Sequence, residues 1–300
     1  MKNYFILFLK GIGMGAANVI PGVSGGTIAL ITGIFEKLID SIKSFNLTAI
    51  KLLFKGKFND FARHTNLDFL IAVFLGIGVS IISLAKILDY LFEYYPVYIW
   101  SFFFGLILAS VYYVGKTITR WKISVIITFI IGVVTAVTIT FLSPATENDS
   151  WFYLFLCGIV AICSMILPGL SGSFVLVLLG NYELVMIDAV SEFNFKILLP
   201  VVLGAGFGLL AFSYFLSWLL KKYKDQTIAL LTGFILGSLG IIWPWKNEIT
   251  QNFGDKIKVV GYEQCLPDNF DMQVVIAILM AVIGYILIWL LEKMAKTKKA

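Results

Sequence analysis

Two apolar stretches of this chain are interrupted by the same pattern, Pro-Gly-x-Ser-Gly, and the two interruptions lie in register. Laid over each other, PGVSGGTIALITGIFE (21–36) falls on PGLSGSFVLVLLGNYE (168–183) without a gap. Pro21, Gly22, Ser24, Gly25, Gly33 and Glu36 match Pro168, Gly169, Ser171, Gly172, Gly180 and Glu183, and Phe35 pairs with Tyr182. At a second, shorter offset, GLILAS (105–110) falls on GFILGS (233–238), and Gly76 and Gly78 fall on Gly204 and Gly206. The offset shortens because the first copy has a longer connecting segment after its break. The chain reads as one unit written twice.

The breaks decide what each copy can be. Proline lacks an N–H and disfavours helix at the residue before it, and glycine loosens the backbone. The uncharged stretches 11–35 and 150–182 therefore read as pairs of short helical arms joined by a loop. Composition supplies the medium. The chain is 59% hydrophobic and 14% charged, where a soluble domain carries roughly a quarter charged residues. Runs such as 123–142 and 274–291 are long enough for a hydrocarbon layer of about 30 Å.

The expected fold is an all-α polytopic membrane protein of two inverted-topology repeats. Each repeat is a re-entrant helical hairpin followed by three transmembrane helices. The first occupies 1–142 (hairpin 4–35, spans 67–92, 97–115 and 123–142) and the second 150–292 (hairpin 151–187, spans 197–220, 226–245 and 272–292). Basic residues set the orientation. With both hairpins returning, segments 1–10, 36–66, 116–122, 221–225 and 293–300 share one side and hold 18 of the 23 basic residues. That side is expected to be the cytoplasm, with both termini in it. Three spans per copy turn the second copy upside down, an architecture of transporters that bind at the repeat interface. A fully spanning pair in place of either hairpin gives the same parity.

Other classes find little support. The net charge of +5 resides in these loops and does not indicate nucleic-acid binding. Cys157, Cys163 and Cys265 have no metal-ligand spacing and form no even framework, so no metal or cofactor is expected. The N-terminal segment has too short an apolar run for a cleaved signal and is read as mature chain. Segment 47–58 alternates apolar residues with lysines, which fits an amphipathic helix on anionic headgroups or an ordinary basic loop. Lys86 and Asp89 are charges within a span, candidates for function or for pairing with each other.

Each helical arm restarts near Ser24 or Ser171. The first N–H groups of a helix lack intrahelical partners and its dipole end is positive, so two such ends facing each other make an anion site. The candidate binding residues are Asn18, Pro21, Gly22, Ser24, Gly25, Gly26 and Thr27 in the first copy, and Pro168, Gly169, Ser171, Gly172 and Ser173 in the second. Close helix packing by small residues is the alternative reading of the glycines and serines. Asn18 has Met165 as its counterpart, so a role for it would be asymmetric. Glu36 and Glu183 close the arms and are candidates for gating or proton coupling.

GVSGG (22–26) also fits the G-x-S-x-G of serine hydrolases, and GxSG occurs in intramembrane proteases. The only histidine is His64, in a basic loop, and a serine nucleophile needs a base within reach. An undecaprenyl-pyrophosphate phosphatase-like enzyme would need an arginine beside the break, and the chain has only Arg63 and Arg120. No catalytic residues are assigned.

GxGMGxANVIPGVSGGTIAL, followed by GIFEKLI, ILPGLSGS and GNYE, resembles the family called domain of unknown function 368 over essentially the whole chain. The resemblance implies a polyprenyl-phosphate transporter that returns undecaprenyl phosphate across the bacterial cytoplasmic membrane for cell-wall precursor synthesis. The implied partner is the polyprenyl-phosphate lipid. A small-anion channel or carrier and a non-transporting scaffold remain open readings of the residues themselves.

Overall fold

The structure is a computed structural model that describes all residues except 1–3, 20–23, 143–144, 192, 254–255, 268 and 298–300. The first half runs α1 (Tyr4–Val19), α2 (Gly25–Ile31), α3 (Phe35–Lys43), α4 (Leu47–Phe54), α5 (Phe58–His64), α6 (Leu67–Tyr94), α7 (Pro96–Gly115) and α8 (Ile123–Thr140). The second runs α9 (Trp151–Ile166), α10 (Gly172–Leu178), a π turn (Leu184–Asp188), α11 (Ala189–Ser191), α12 (Phe195–Lys222) and α13 (Lys224–Gly237). A 3₁₀ turn (Ser238–Gly240), strands β1 (Lys246–Phe253) and β2 (Lys256–Gln264), and α14 (Met272–Thr297) complete it. The bounds of α9 and α10 repeat those of α1 and α2 at the offset that aligns the two breaks. Those of α12 repeat those of α6 at the second, shorter offset.

Among the described residues, α7, α8, α12 and Met272–Leu290 of α14 are long and apolar enough to cross a membrane, and α6, which meets α5 across a 68° bend, is the candidate for a fifth span. Their outer faces carry exposed Ile82, Ile123, Val202 and Leu279, which only a hydrocarbon solvent tolerates on this scale. The chain is a multi-pass membrane protein. Helix α1 packs along α6 and α9 along α12, while α7 packs along α14 and α8 along α13.

Glycines permit these approaches in matching sets. A Cβ on Gly76 would strike the Phe8 carbonyl, and one on Gly204 would strike that of Phe155. Likewise Gly105 lies on the Ala281 carbonyl and Gly233 on that of Phe129. Without water to drive association, such close backbone contact supplies much of the helix–helix attraction.

Two segments differ from the sequence reading. The stretch 226–245, expected as a span, is helical only to Gly237, about 21 Å at 1.5 Å per residue. Gly237 and Gly240 lower helix propensity there, and Pro244 bars helix before it. The loop 246–271 holds an antiparallel hairpin, β1–β2, with an irregularity at Ile249/Thr250, so the chain is not purely helical. Lys86 and Asp89 lie on α6, but their side chains fall outside the described residues.

Polar contacts tie several of the connecting segments together. Lys224 Nζ lies 2.6 Å from Glu36 Oε1, and Lys221 Nζ 3.2 Å from Asp40 Oδ1. The Asp225 carboxylate accepts the N–H groups of Thr119 and Arg120, both at 3.2 Å. Helix α3 and residues 119–120 are thus each bonded to 217–225. In the second half, the Asn181 side chain accepts the Asn148 N–H (2.9 Å) and donates to the Asn148 carbonyl (2.7 Å).

Candidate functional site

Each break turns the chain back on itself. Gly25 N–H donates to Asn18 Oδ1 on α1 (2.7 Å), and Lys10, two turns earlier on α1, donates to the Thr32 carbonyl beyond α2 (2.6 Å). Helix α2 therefore runs antiparallel to α1. In the second copy a Cβ on Gly172 would lie 2.5 Å from Met165 Cγ, and Tyr153 Oη donates to the Leu179 carbonyl (2.8 Å). Helix α10 therefore runs antiparallel to α9. Lys10 and Tyr153 do the same job at the two ends: each donates to a carbonyl that the short helix leaves unpaired.

The two breaks meet. Ser24 Oγ donates to the Met165 carbonyl at 3.2 Å, and a Cβ on Gly26 would come within 2.6 Å of the Ile166 carbonyl. Two segments far apart in sequence thus share one small volume. Pro21 and Gly22 lie outside the described residues. Pro168 is buried. Gly169 has φ +82°, and a Cβ on it would lie 2.6 Å from the Phe234 carbonyl of α13. An L side chain there would meet both the left-handed backbone penalty and that carbonyl.

The two arms end differently. In α2 every first-turn donor is taken: Gly25 N–H by Asn18, Gly26 N–H by Ser24 Oγ (3.1 Å) and Thr27 N–H by the Ser24 carbonyl (2.9 Å). Ser24, Gly25, Gly26 and Thr27 are buried, and the Thr27 hydroxyl has no partner among the described residues. In α10, Ser171 occupies the N-cap position but caps nothing, and its hydroxyl lies 2.9 Å from that of exposed Ser173. The cause is the Asn18/Met165 difference. Asn18 offers an amide oxygen to the first N–H of its arm; a thioether at the matching position accepts hydrogen bonds only weakly. Among the described residues, then, no side chain caps α10, whereas the first-turn donors of α2 are taken.

Sequence reasoning did not assign a part to the Met165 carbonyl. A backbone oxygen carries no sequence signal, and its role rests on the antiparallel turn. Ser24→Ala removes the partner of Gly26 N–H and of that carbonyl. We expect a loss of about 1–2 kcal/mol in stability, read by denaturant or thermal unfolding in detergent.

Glu36 pairs with Lys224 near α13, and Glu183 leads into the π turn, partly exposed. The serine-hydrolase geometry is not formed: His64 Nε2 lies 3.2 Å from Asn46 Oδ1 beside α4, while Ser24 is engaged at the breaks. Among the described residues no group of acidic, histidine or cysteine side chains could hold a metal ion.

A polyprenyl-phosphate transporter of Vibrio cholerae serotype O1 is 46% identical over 248 residues, which are 83% of this chain and 80% of that protein. A polyprenyl-phosphate transporter of Staphylococcus aureus is 33% identical over 259 residues, 80% of this chain and 86% of that protein. No solved structure matches. The family described as VCA0040-like, undecaprenyl phosphate translocase-like, matches residues 14–258. With most of its length inside that match and with relatives named as transporters and not as enzymes, the chain belongs to the undecaprenyl phosphate translocase-like family.

Proposed function

We propose that the chain carries a polyprenyl phosphate, undecaprenyl phosphate by family, across the bacterial cytoplasmic membrane so that the lipid can be reused in envelope synthesis. The observation that carries this reading is the meeting of the two breaks through Ser24 and the Met165 carbonyl. A headgroup anion held there needs no basic side chain, because α10 presents uncapped N–H groups and the Ser171 and Ser173 hydroxyls beside it. The Thr27 hydroxyl, unpartnered among the described residues, and the side-chain amide of Asn18 are further donors. The hydrocarbon tail stays in lipid throughout.

The mechanism follows from two inverted repeats, 1–142 and 150–292, rocking about this point with both termini in the cytoplasm. The matched helix bounds, the matched glycine contacts and the antiparallel arms support that assignment. In it both hairpins are re-entrant, since 16-residue α1 and α9 reach only about 24 Å. Helix α3 crosses to α12 of the other half, held by Glu36–Lys224 and by Asp40, which binds Lys221 and accepts from Ser217 Oγ (2.7 Å). Its counterpart, the π turn and α11, packs on α12 of its own half. In this reading the contact of α3 with the other half is a latch, and the latch exchanges ends as the repeats rock. Glu183 is the residue that takes the part of Glu36 in the reversed state.

Leaflet-resolved transport of undecaprenyl phosphate in proteoliposomes tests the reading. Anion flux without lipid would favour a small-anion carrier, and neither activity would leave a scaffold. For the latch, joining Glu36→Cys to Lys224→Cys with a bifunctional, reducible thiol reagent should stop transport, and reduction should restore it. Undiminished transport in the joined protein would remove the latch from the cycle.

A further inference from the structure

Helices α4 and α5 form a hairpin braced from within. Asn46 Oδ1 accepts the N–H groups of Thr48 (2.9 Å) and Ala49 (3.2 Å) and also meets His64 at the far end of α5. Phe45 packs edge-on against Phe61, with ring centroids 6.0 Å apart. With its inner face so occupied, the hairpin leaves an apolar outer face uncovered. Phe54 is 89% exposed, Leu47 75%, Phe58 67% and Ile50 47%. Leu47, Ile50 and Phe54 stand at i, i+3 and i+7 and make one stripe of α4, while Ala49 is the buried residue of that helix.

Charge lies along the stripe's edge. Lys51 flanks it on α4, Lys55 caps the helix end, and Lys57 follows in the turn to α5. Among the described residues, none of these three makes an ion pair. Asp60 is the sole acidic residue from Asn46 to Asn66, against Lys51, Lys55, Lys57 and Arg63. Geometry adds the orientation. Helix α5 meets the Leu67–Ser83 part of α6 at 68°, so an α6 that crosses the membrane lays α5 close to the bilayer plane.

We propose that α4–α5 is a membrane-surface hairpin that sinks Phe54 and Phe58 into the headgroup–acyl boundary of an anionic leaflet, with Lys51, Lys55 and Lys57 on the lipid phosphates. Exposed aromatics with a row of unpaired lysines beside them match an anionic lipid surface, which is apolar beneath and negative above. A protein partner would have to present the same two layers. The assignment is independent of the transported substrate.

The test uses the full chain with Cys163→Ala and Cys265→Ser, spin-labelled at Phe54→Cys or, as control, at exposed Thr48→Cys. It is reconstituted in vesicles of phosphatidylcholine alone or mixed with phosphatidylglycerol. With phosphatidylglycerol, the label at 54 should be several-fold more accessible to oxygen than to a water-soluble nickel chelate, and the label at 48 the reverse. Lys51→Gln/Lys55→Gln/Lys57→Gln should erase the difference between the vesicle types, as should high salt, which shortens electrostatic reach. A label at 54 open to nickel in both vesicles overturns the proposal. So does shielding from both reagents, the mark of a protein partner or a second copy. Equal burial in both vesicles overturns the anionic preference. Phe58→Cys repeats the measurement if the first variant does not fold.

Discussion

Gly26→Val should abolish transport of undecaprenyl phosphate in reconstituted vesicles and lower the unfolding temperature. The position is buried, and a Cβ there lies 2.6 Å from the Ile166 carbonyl and 3.2 Å from Ser24 Oγ. The nearer obstacle is backbone, which cannot swing aside as a side chain would. Valine adds two methyl groups beyond that Cβ, so the breaks must separate. Overpacking of this kind costs about 1–3 kcal/mol, and separation also parts Ser24 from the Met165 carbonyl. The companion variant is Gly78→Val, where an added Cβ meets nothing within 4 Å; it should fold and transport nearly as the parent does. Parental transport by Gly26→Val would show that the junction of the breaks plays no part in carrying the lipid.

Met165→Asn should produce the opposite pairing of effects: weaker lipid binding in a protein at least as stable. The substitution copies the Asn18 arrangement into the second hairpin. An amide oxygen at 165 reaches the N–H of Gly172 as Asn18 reaches that of Gly25, and it closes the free end of α10 to an anion. Hydrogen bonds to a charged group are worth about 1.5–3 kcal/mol each, so the affinity for undecaprenyl phosphate should fall roughly 10- to 100-fold. The new cap should add up to about 1 kcal/mol of stability. A general packing defect would lower both quantities together. Unchanged affinity in a folded Met165→Asn protein would place the phosphate elsewhere. The reciprocal Asn18→Leu strands the Gly25 N–H and should destabilise by about 1 kcal/mol, measured by denaturant unfolding.

Much of this was legible in the sequence, for identifiable reasons. Hydrophobic runs and charge placement marked the apolar helices, because the bilayer demands both. The offset between the two breaks held exactly for the bounds of α1, α2, α9 and α10, since the proline and glycine that end one arm recur at the end of the other. The β1–β2 hairpin was not legible: its residues are polar and mixed, with no clean alternation to mark two strands. The early end of α13 was missed because Ile241, Ile242 and Trp243 continue the apolar run after the helix has stopped. At the site, the pattern named the residues but not their occupancy. The two Pro-Gly-x-Ser-Gly strings look alike, and what separates them is the side chain one helical turn before each proline. Asn18 and Met165 were visible as a mismatch, but its meaning required knowing that each arm folds back against that residue.

That mismatch bears on how a duplicated gene can come to serve a single-headed cargo. Two identical copies about a two-fold axis would offer one phosphate two equal berths, and a ligand shared between equal berths is held firmly by neither. In the proposed mechanism, filling one berth with the protein's own amide would leave a single lodging place for the phosphate while the two repeats keep their common frame. Divergence after duplication would then be expected to concentrate at such capping positions sooner than in the motifs themselves. In this chain the motif serines survive in both halves, and the asymmetry rests on one amide facing one thioether.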